Sequence, residues 1–356
     1  MKKSAKSGPS AQKSLNRLLW SVLFVVIAAA TIWAVISQSR SFSLRSFVSY
    51  ASGVSKAWLS AAFLSMLGFI LFEGEAFVAI CRAFGHSISH RRGFIYSASD
   101  IYFSAITPSA SGGQPACAYF MITDGIPGIV AAIALIANLA MYTIAILVLG
   151  IMTLLIRPDV FLSFSPLSQG LIVLGYLTQG LLTVLVLMLL AKGDLLHRIS
   201  RKVLHLLCRI RLLKHEEEKQ RGLDQQMKEY AMYARMIKEH KQTMAKAFFC
   251  NLMQRMSMIS VPFFVFLASG GELAKSVDIW AIQCYTVIGS NTIPIPGAMG
   301  VSDYIMLDGF SKVIPYQNAV EFELLSRSLS FYVCVALCGI TALIKYCYHI
   351  KHERKS

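Results

Sequence analysis

Charged residues are scarce in this sequence. Only 15% of the 356 residues are Asp, Glu, Lys or Arg, while 55% are hydrophobic, and soluble domains carry about a quarter charged residues. This composition excludes an ordinary soluble domain and predicts an integral membrane protein. Acidic residues are fewer than basic ones, 19 against 34, which leaves a net charge of +15. We assign that excess to cytoplasmic loops facing anionic lipid, and so predict membrane lipids and no nucleic acid as partners.

Sequence motifs of enzymes and metal proteins are also missing. The chain has no nucleotide-binding P-loop, no nucleophile elbow and no HExxH zinc motif. Its eight cysteines form no CxxC pair, and most lie in apolar stretches where cysteine behaves as a small hydrophobe. The sequence therefore predicts no metal, no cofactor and no catalytic residue, and any transport is not driven by ATP on this chain.

Long apolar stretches predict about six transmembrane crossings and hence an all-α polytopic membrane protein. They cover residues 18–37, 57–81, 128–156, 166–191, 247–269 and 321–344. Residues 192–246 hold 14 Lys or Arg against 7 Asp or Glu. The first part of this insertion alternates leucines with basic residues at helical spacing, which predicts an amphipathic helix on the cytoplasmic membrane surface.

Two short motifs interrupt this pattern, TPSASGGQPACAYF at 107–120 and NTIPIPGAMGVSDY at 291–304. Their prolines remove backbone donors and their glycines loosen the chain, so each predicts a break between two short helices. The arms of the first break, about 13 and 11 residues, would be roughly 20 and 16 Å long, too short for the ~30 Å hydrocarbon core. We therefore predict two re-entrant helical hairpins within 94–124 and 279–310.

The distribution of basic residues orients these elements. With both breaks as hairpins, the Lys and Arg excess falls on the predicted inside segments, as the positive-inside rule requires. The chain is then one integral membrane domain, 1–356, in which repeat one (18–156) and repeat two (166–345) have opposite orientation. Both termini and the 192–246 insertion are predicted to be cytoplasmic.

Matched breaks in two halves of a membrane protein predict a transporter-like binding site. The half-helices that start near Gly113 and Gly300 would present N–H groups and a positive dipole end to a phosphate. Serine and glutamine side chains nearby could add hydrogen bonds. The predicted substrate-binding residues are Thr107, Ser109, Ser111, Gly112, Gly113, Gln114, Pro296, Gly297, Gly300, Asp303, Glu73 and Arg255.

Ionisable groups at membrane depth are costly, which makes each a functional candidate. They are Glu73, Glu75, Asp100, Arg255, Asp303 and Arg327. Two alternatives stay open. Arg255 and Glu73 lie at similar depth and could form a structural ion pair. Asp303 could cap its half-helix or receive a headgroup amine.

The two motifs resemble signatures of a known family, the lysylphosphatidylglycerol synthase/flippase-like transmembrane proteins. ITPSASGGQPACAYF is similar to its first signature and IPIPGAMGVSDY to its second, although Asp303 stands where the family usually has Glu. The resemblance covers roughly residues 15–350. It implies a plasma-membrane flippase for a phospholipid or glycolipid headgroup, such as lysyl-phosphatidylglycerol.

The same resemblance implies an alternative, a phosphatidylglycerol lysyltransferase or its membrane subunit, linked to resistance against cationic antimicrobial peptides. Family members with that activity carry a soluble synthase domain. Only residues 345–356 follow the last predicted span, so we expect no synthase on this chain. The headgroup, the energy source and homo-oligomerisation stay open.

Overall fold

The computed structural model describes residues 52–107, 110–191, 202, 216–291, 293, 295–298 and 300–353. These residues form helices and no strands, so the chain is an all-α polytopic membrane protein, as predicted. The first predicted span, 18–37, lies outside the described residues. So does the predicted amphipathic helix in 192–215, apart from residue 202.

The helices are numbered here in chain order. They are α1 (Lys56–Ala83), α2 (His90–Ile106), α3 (Gly113–Thr123), α4 (Gly128–Ile156), α5 (Pro158–Ser163), α6 (Pro166–Ala191), α7 (Glu216–Glu239), α8 (Lys241–Ala268), α9 (Leu273–Ser290), α10 (Val301–Phe310), α11 (Tyr316–Arg327) and α12 (Cys334–Glu353). A 3₁₀ turn, Pro296–Ala298, precedes α10, and a π-helical segment, Ser328–Val333, joins α11 to α12.

Five helical stretches within the described residues are long and apolar enough to cross a membrane. They are Lys56–Ala83, Gly128–Ile156, Pro166–Leu190, Lys241–Ala268 and Asn318–His349. Each corresponds to one of the predicted spans. The last of these candidate spans runs through α11, the π-helical segment and α12 without interruption, so it includes the charged residues of α11.

Two pairs of shorter helices lie between the long ones. Helices α2 and α3 pack against each other across the first break, and α9 and α10 pack across the second. Their lengths are 17 and 11 residues and 18 and 10 residues, all below the ~20 that a crossing needs. The first arm is longer than predicted because the Ser89 hydroxyl accepts a hydrogen bond from the Arg92 N–H and so starts α2 four residues earlier.

The order of elements is the same in both halves. A long helix, a broken helix pair and another long helix follow one another as α1, α2/α3, α4 and again as α8, α9/α10, α11–α12. Helix α1 packs along α8, and the last crossing packs against α2. The two repeats and their opposite orientation in the membrane stay predictions.

A glycine contact brings α1 and α2 together. A Cβ on Gly74 would lie 2.8 Å from the carbonyl carbon of Gly93 and 2.9 Å from its oxygen. Neither backbone can yield, so only glycine fits at this crossing. The contact places Glu73, the neighbour of Gly74, beside the buried face of α2.

We expect Gly74→Ala to lower the melting temperature of the detergent-purified protein by on the order of 5 °C, because the added methyl forces α1 and α2 apart. Gly180→Ala on α6 is the matched control, since a Cβ there meets nothing within 4 Å. That variant should melt at the parental temperature or slightly above it. An equal effect of both substitutions would show that the α1–α2 contact is not tight.

Candidate functional site

Three helices bring two carboxyl groups and one guanidinium together. Glu73 lies on α1, Asp100 on α2 and Arg255 on α8. The two carboxyl groups interact electrostatically with each other and with the Arg255 guanidinium. The Ser97 hydroxyl donates a hydrogen bond of 2.9 Å to Glu73 Oε2. Only 6% of Glu73 and 8% of Asp100 is exposed. We call Glu73, Asp100 and Arg255 the first trio.

Aromatic rings hold the guanidinium of the first trio. Its Cζ lies 4.2 Å from the centroid of the Tyr142 ring and 5.1 Å from that of Phe69. Such cation–π contacts stabilise a cation where water is excluded. The Nε atom of Arg255 is buried and has no hydrogen-bond partner among the described residues. Arg255 thus faces the two acids and retains an unused donor; its ion pair with Glu73 stays a prediction.

The first break lies directly beside this trio. Gly113, the first residue of α3, is packed so closely on α2 that a Cβ would lie 2.6 Å from the carbonyl oxygen of Asp100. The Thr107 hydroxyl stabilises the break with two hydrogen bonds. It donates to the Phe103 carbonyl at 2.6 Å and accepts from the Gly112 N–H at 2.8 Å. One N–H at the start of α3 is thereby satisfied within the chain.

The other predicted residues of the first motif lie further out. Ser111 is exposed and Gln114 is partly buried, while Ser109 lies outside the described residues. Glu75 also differs from the buried acids, because its side chain is 31% exposed and pairs with His90. The structure thus separates Glu75 from Glu73 although only one residue lies between them.

A second group has the same composition at the other break. Asp303 on α10 meets Glu323 and Arg327 on α11, and the two carboxyl groups interact electrostatically. Arg327 Nε and Asp303 Oδ1 form an ion pair at 2.7 Å. Glu323 and Arg327 are each 8% exposed. We call Asp303, Glu323 and Arg327 the second trio.

Asp303 also caps its half-helix. Its Oδ2 accepts a hydrogen bond of 2.9 Å from the Gly300 N–H, which satisfies a donor at the start of α10. Capping was one of the two predicted roles for this residue. The ion pair with Arg327 was not predicted, and Glu323 was missed altogether. A signal was available, since Glu323 stands one helical turn before Arg327 in a span, where charged residues are costly.

The remaining predicted residues shape the second break. Gly297 and Gly300 have φ angles of 61° and 81°, in the left-handed region that glycine adopts without strain. The turn Pro296–Ala298 packs against α2. Since α2 carries Asp100, the second break lies against the first hairpin.

The family model described as "Lysylphosphatidylglycerol synthase TM region" matches residues 17–338, which include both breaks and both trios. No curated protein matches the sequence.

Proposed function

Because the chain belongs to the lysylphosphatidylglycerol synthase TM region family, we propose that it is a lipid flippase-like protein of the plasma membrane. In this proposal it translocates the headgroup of a phospholipid or glycolipid through the region between its two hairpins, while the acyl chains stay in the bilayer. Lysyl-phosphatidylglycerol is one candidate substrate.

The first trio beside the first break is the observation that supports this proposal most. A charged headgroup cannot cross hydrocarbon without polar partners. Arg255 lies in an apolar span, yet it keeps a buried Nε–H without a hydrogen-bond partner among the described residues. A planar guanidinium suits a phosphate, because it binds two oxygens at once. The trio therefore offers a phosphate group a partner at membrane depth.

The break itself adds polar backbone to this region. Non-helical backbone is tolerated at membrane depth where it is buried in protein or lines a polar cavity. The chain between α2 and α3 meets this condition through the Thr107 hydroxyl and the packing of Gly113 on α2. In the proposal, this region and the turn at Pro296–Ala298 enclose the headgroup from two sides.

Lipid analysis of cells with and without the gene tests the proposal. A flippase leaves the total amount of each lipid unchanged and alters the outer-leaflet share of one of them, which an impermeant amine reagent measures for aminoacylated lipids. Disappearance of a lipid species from the total extract would instead support the alternative, a phosphatidylglycerol lysyltransferase or a membrane subunit of one.

Opposite orientation of the two repeats is the second part of the proposal, with both termini and residues 192–246 cytoplasmic. In a cysteine-free background, a cysteine at position 217 in α7 should resist membrane-impermeant thiol reagents on intact cells. A cysteine at Lys275 in α9 should be labelled, because its side chain is 53% exposed and lies on the predicted outer side. Labelling at 217 together with protection at 275 would contradict the assignment.

A further inference from the structure

An ion-pair group ties the first hairpin to the last crossing. Asp124, which directly follows α3, accepts hydrogen bonds from Lys345 Nζ of α12 at 2.5 Å and from the Tyr96 hydroxyl of α2 at 3.0 Å. Arg92 Nε of α2 lies 3.7 Å from its Oδ2. The Asp124 side chain is only 7% exposed. One carboxylate thus joins both arms of the hairpin to α12, and we call these four residues the Asp124 group.

A second ion-pair group ties the second hairpin to the end of α4. Arg157, which directly follows α4, forms an ion pair through Nη1 with Asp278 of α9. Its backbone carbonyl accepts a hydrogen bond of 3.1 Å from the Tyr285 hydroxyl, also of α9. Hydrogen bonds of 2.7 and 3.1 Å join the same guanidinium to Asp159 and orient it. We call these four residues the Arg157 group.

The two groups occupy corresponding places in the predicted repeats. In each group, a cation in or just after the last crossing of one repeat pairs with an aspartate on the hairpin of the other repeat. The Asp124 group lies on the predicted cytoplasmic side and the Arg157 group on the predicted outer side. Rocking of one repeat against the other is the common movement of transporters built in this way. Contacts between a hairpin and the opposite repeat are those that such a movement breaks.

Both groups are formed in the structure, and the first trio is covered. Only 6% of Glu73 and 8% of Asp100 is exposed, and Arg255 Nε is buried. Tyr96 of the Asp124 group lies one helical turn before Asp100 on α2, so this group closes the chain next to the trio. A headgroup that binds Arg255 therefore needs an opening that this arrangement does not provide.

We propose that the Asp124 group and the Arg157 group are two gates, which close the region between the hairpins on its two sides and open in turn. When Lys345 leaves Asp124, the first hairpin moves away from α12 and the region opens to the cytoplasmic leaflet. When Arg157 leaves Asp278, the second hairpin moves away from α4 and the region opens to the outer leaflet. The proposal rests on the proposed function and adds to it the contacts that break during transport.

Opening is tested first, without any transport, at a cysteine beside the first trio. The Ser104 hydroxyl lies 3.5 Å from Asp100 Oδ1. In a cysteine-free background, Ser104→Cys is labelled with an impermeant thiol reagent in right-side-out and inside-out membrane vesicles. Lys345→Gln should speed labelling from the cytoplasmic side only, and Arg157→Gln from the outer side only. We expect a change on the order of tenfold, because contacts between charged groups stabilise the closed form.

Lys275→Gln is the matched control for this labelling. Lys275 lies on the predicted outer side, is 53% exposed and pairs with Glu272 at the start of the same helix. Its substitution should leave labelling of Ser104→Cys at the parental rate from both sides. A gate is overturned if its variant leaves the labelling rate unchanged, raises it equally from both sides or raises it from the opposite side.

The need for opening is tested by cross-linking each gate in vesicles that contain the full chain. Asp124→Cys with Lys345→Cys allows a reducible bifunctional thiol reagent to lock the first gate. Arg157→Cys with Asp278→Cys does the same for the second. Movement of fluorescent phosphatidylglycerol between the leaflets is compared before and after cross-linking of the same variant. Each cross-link should stop this movement, and reduction should restore it.

The outcomes separate this inference from the proposed function. Glu272→Cys with Lys275→Cys is the control, because its cross-link stays within one helical turn and should leave the rate unchanged. Lipid movement that continues at the same rate after both gates are cross-linked overturns the gates and leaves the flippase intact. If no lipid moves in the parental protein, the proposed function fails, and the labelling of Ser104→Cys alone then supports or overturns the gates.

Discussion

Replacing Arg255 with glutamine is expected to reduce lipid transport by on the order of 100-fold, because the phosphate loses a hydrogen bond to a charged group that is worth about 1.5–3 kcal/mol. The substitution deletes the guanidinium that faces Glu73 and Asp100 and the unused Nε–H donor beside them. Arg255→Lys keeps the charge and loses the planar, bidentate donor, so it should retain only a minor part of the activity.

Movement of fluorescent phosphatidylglycerol between the leaflets of reconstituted vesicles measures this effect. Lys312→Gln is the control, since that cation lies after α10, is 46% exposed and has its nearest carboxylate at 3.9 Å. It should transport at the parental rate. Parental transport by a correctly inserted Arg255→Gln protein would remove Arg255 from the substrate site.

Gly113→Ala is expected to have the largest effect on stability. The new methyl would lie 2.6 Å from the Asp100 carbonyl oxygen, and nearer still to the Asp100 carboxyl and the Ser104 hydroxyl. Helix α3 would have to move away from α2. We expect the melting temperature to fall by on the order of 10 °C and transport to be lost with it.

Gly128→Ala supplies the comparison for this variant, because Gly128 also stands first in its helix. A Cβ there meets only Ile122 Cδ1 at 3.7 Å, an ordinary contact. Melting curves in detergent should therefore separate the two variants clearly. If Gly113→Ala melts at the same temperature as the parental protein, α3 packs less tightly on α2 than the Gly113 contact indicates.

Hydropathy and backbone chemistry predicted much of the fold. Spans are visible because about 20 apolar residues must follow one another to cross a bilayer. The breaks are visible because prolines remove backbone donors and glycines loosen the chain within a few residues of each other. The start of α2 was less visible. Ser89, its cap, is one polar residue among several in the loop, and its contact with Arg92 is known only from the structure.

The buried charges could be identified in the sequence, but their partners could not. Glu73, Asp100, Arg255 and Asp303 stood out because charges are rare at membrane depth. Which carboxyl meets which arginine depends on how α1, α2 and α8 pack, and α8 follows the other two by more than 130 residues. Glu323 was overlooked although it lies within the predicted span 321–344, where charged residues are costly. Only the packing of α11 against α10 shows that it is buried.

In the proposed function, a lipid headgroup moves through the region between the two hairpins. The most direct measurement uses vesicles with the purified parental protein, vesicles with Arg255→Gln and vesicles without protein. Each contains lipids with a fluorescent headgroup label or lysyl-phosphatidylglycerol, and an impermeant reagent reports what reaches the outer leaflet. The parental protein should raise the reactive fraction of at least one lipid, and Arg255→Gln should match the protein-free vesicles. If the parental protein also matches the protein-free vesicles for phosphatidylglycerol, lysyl-phosphatidylglycerol and a glycolipid alike, the claim is contradicted.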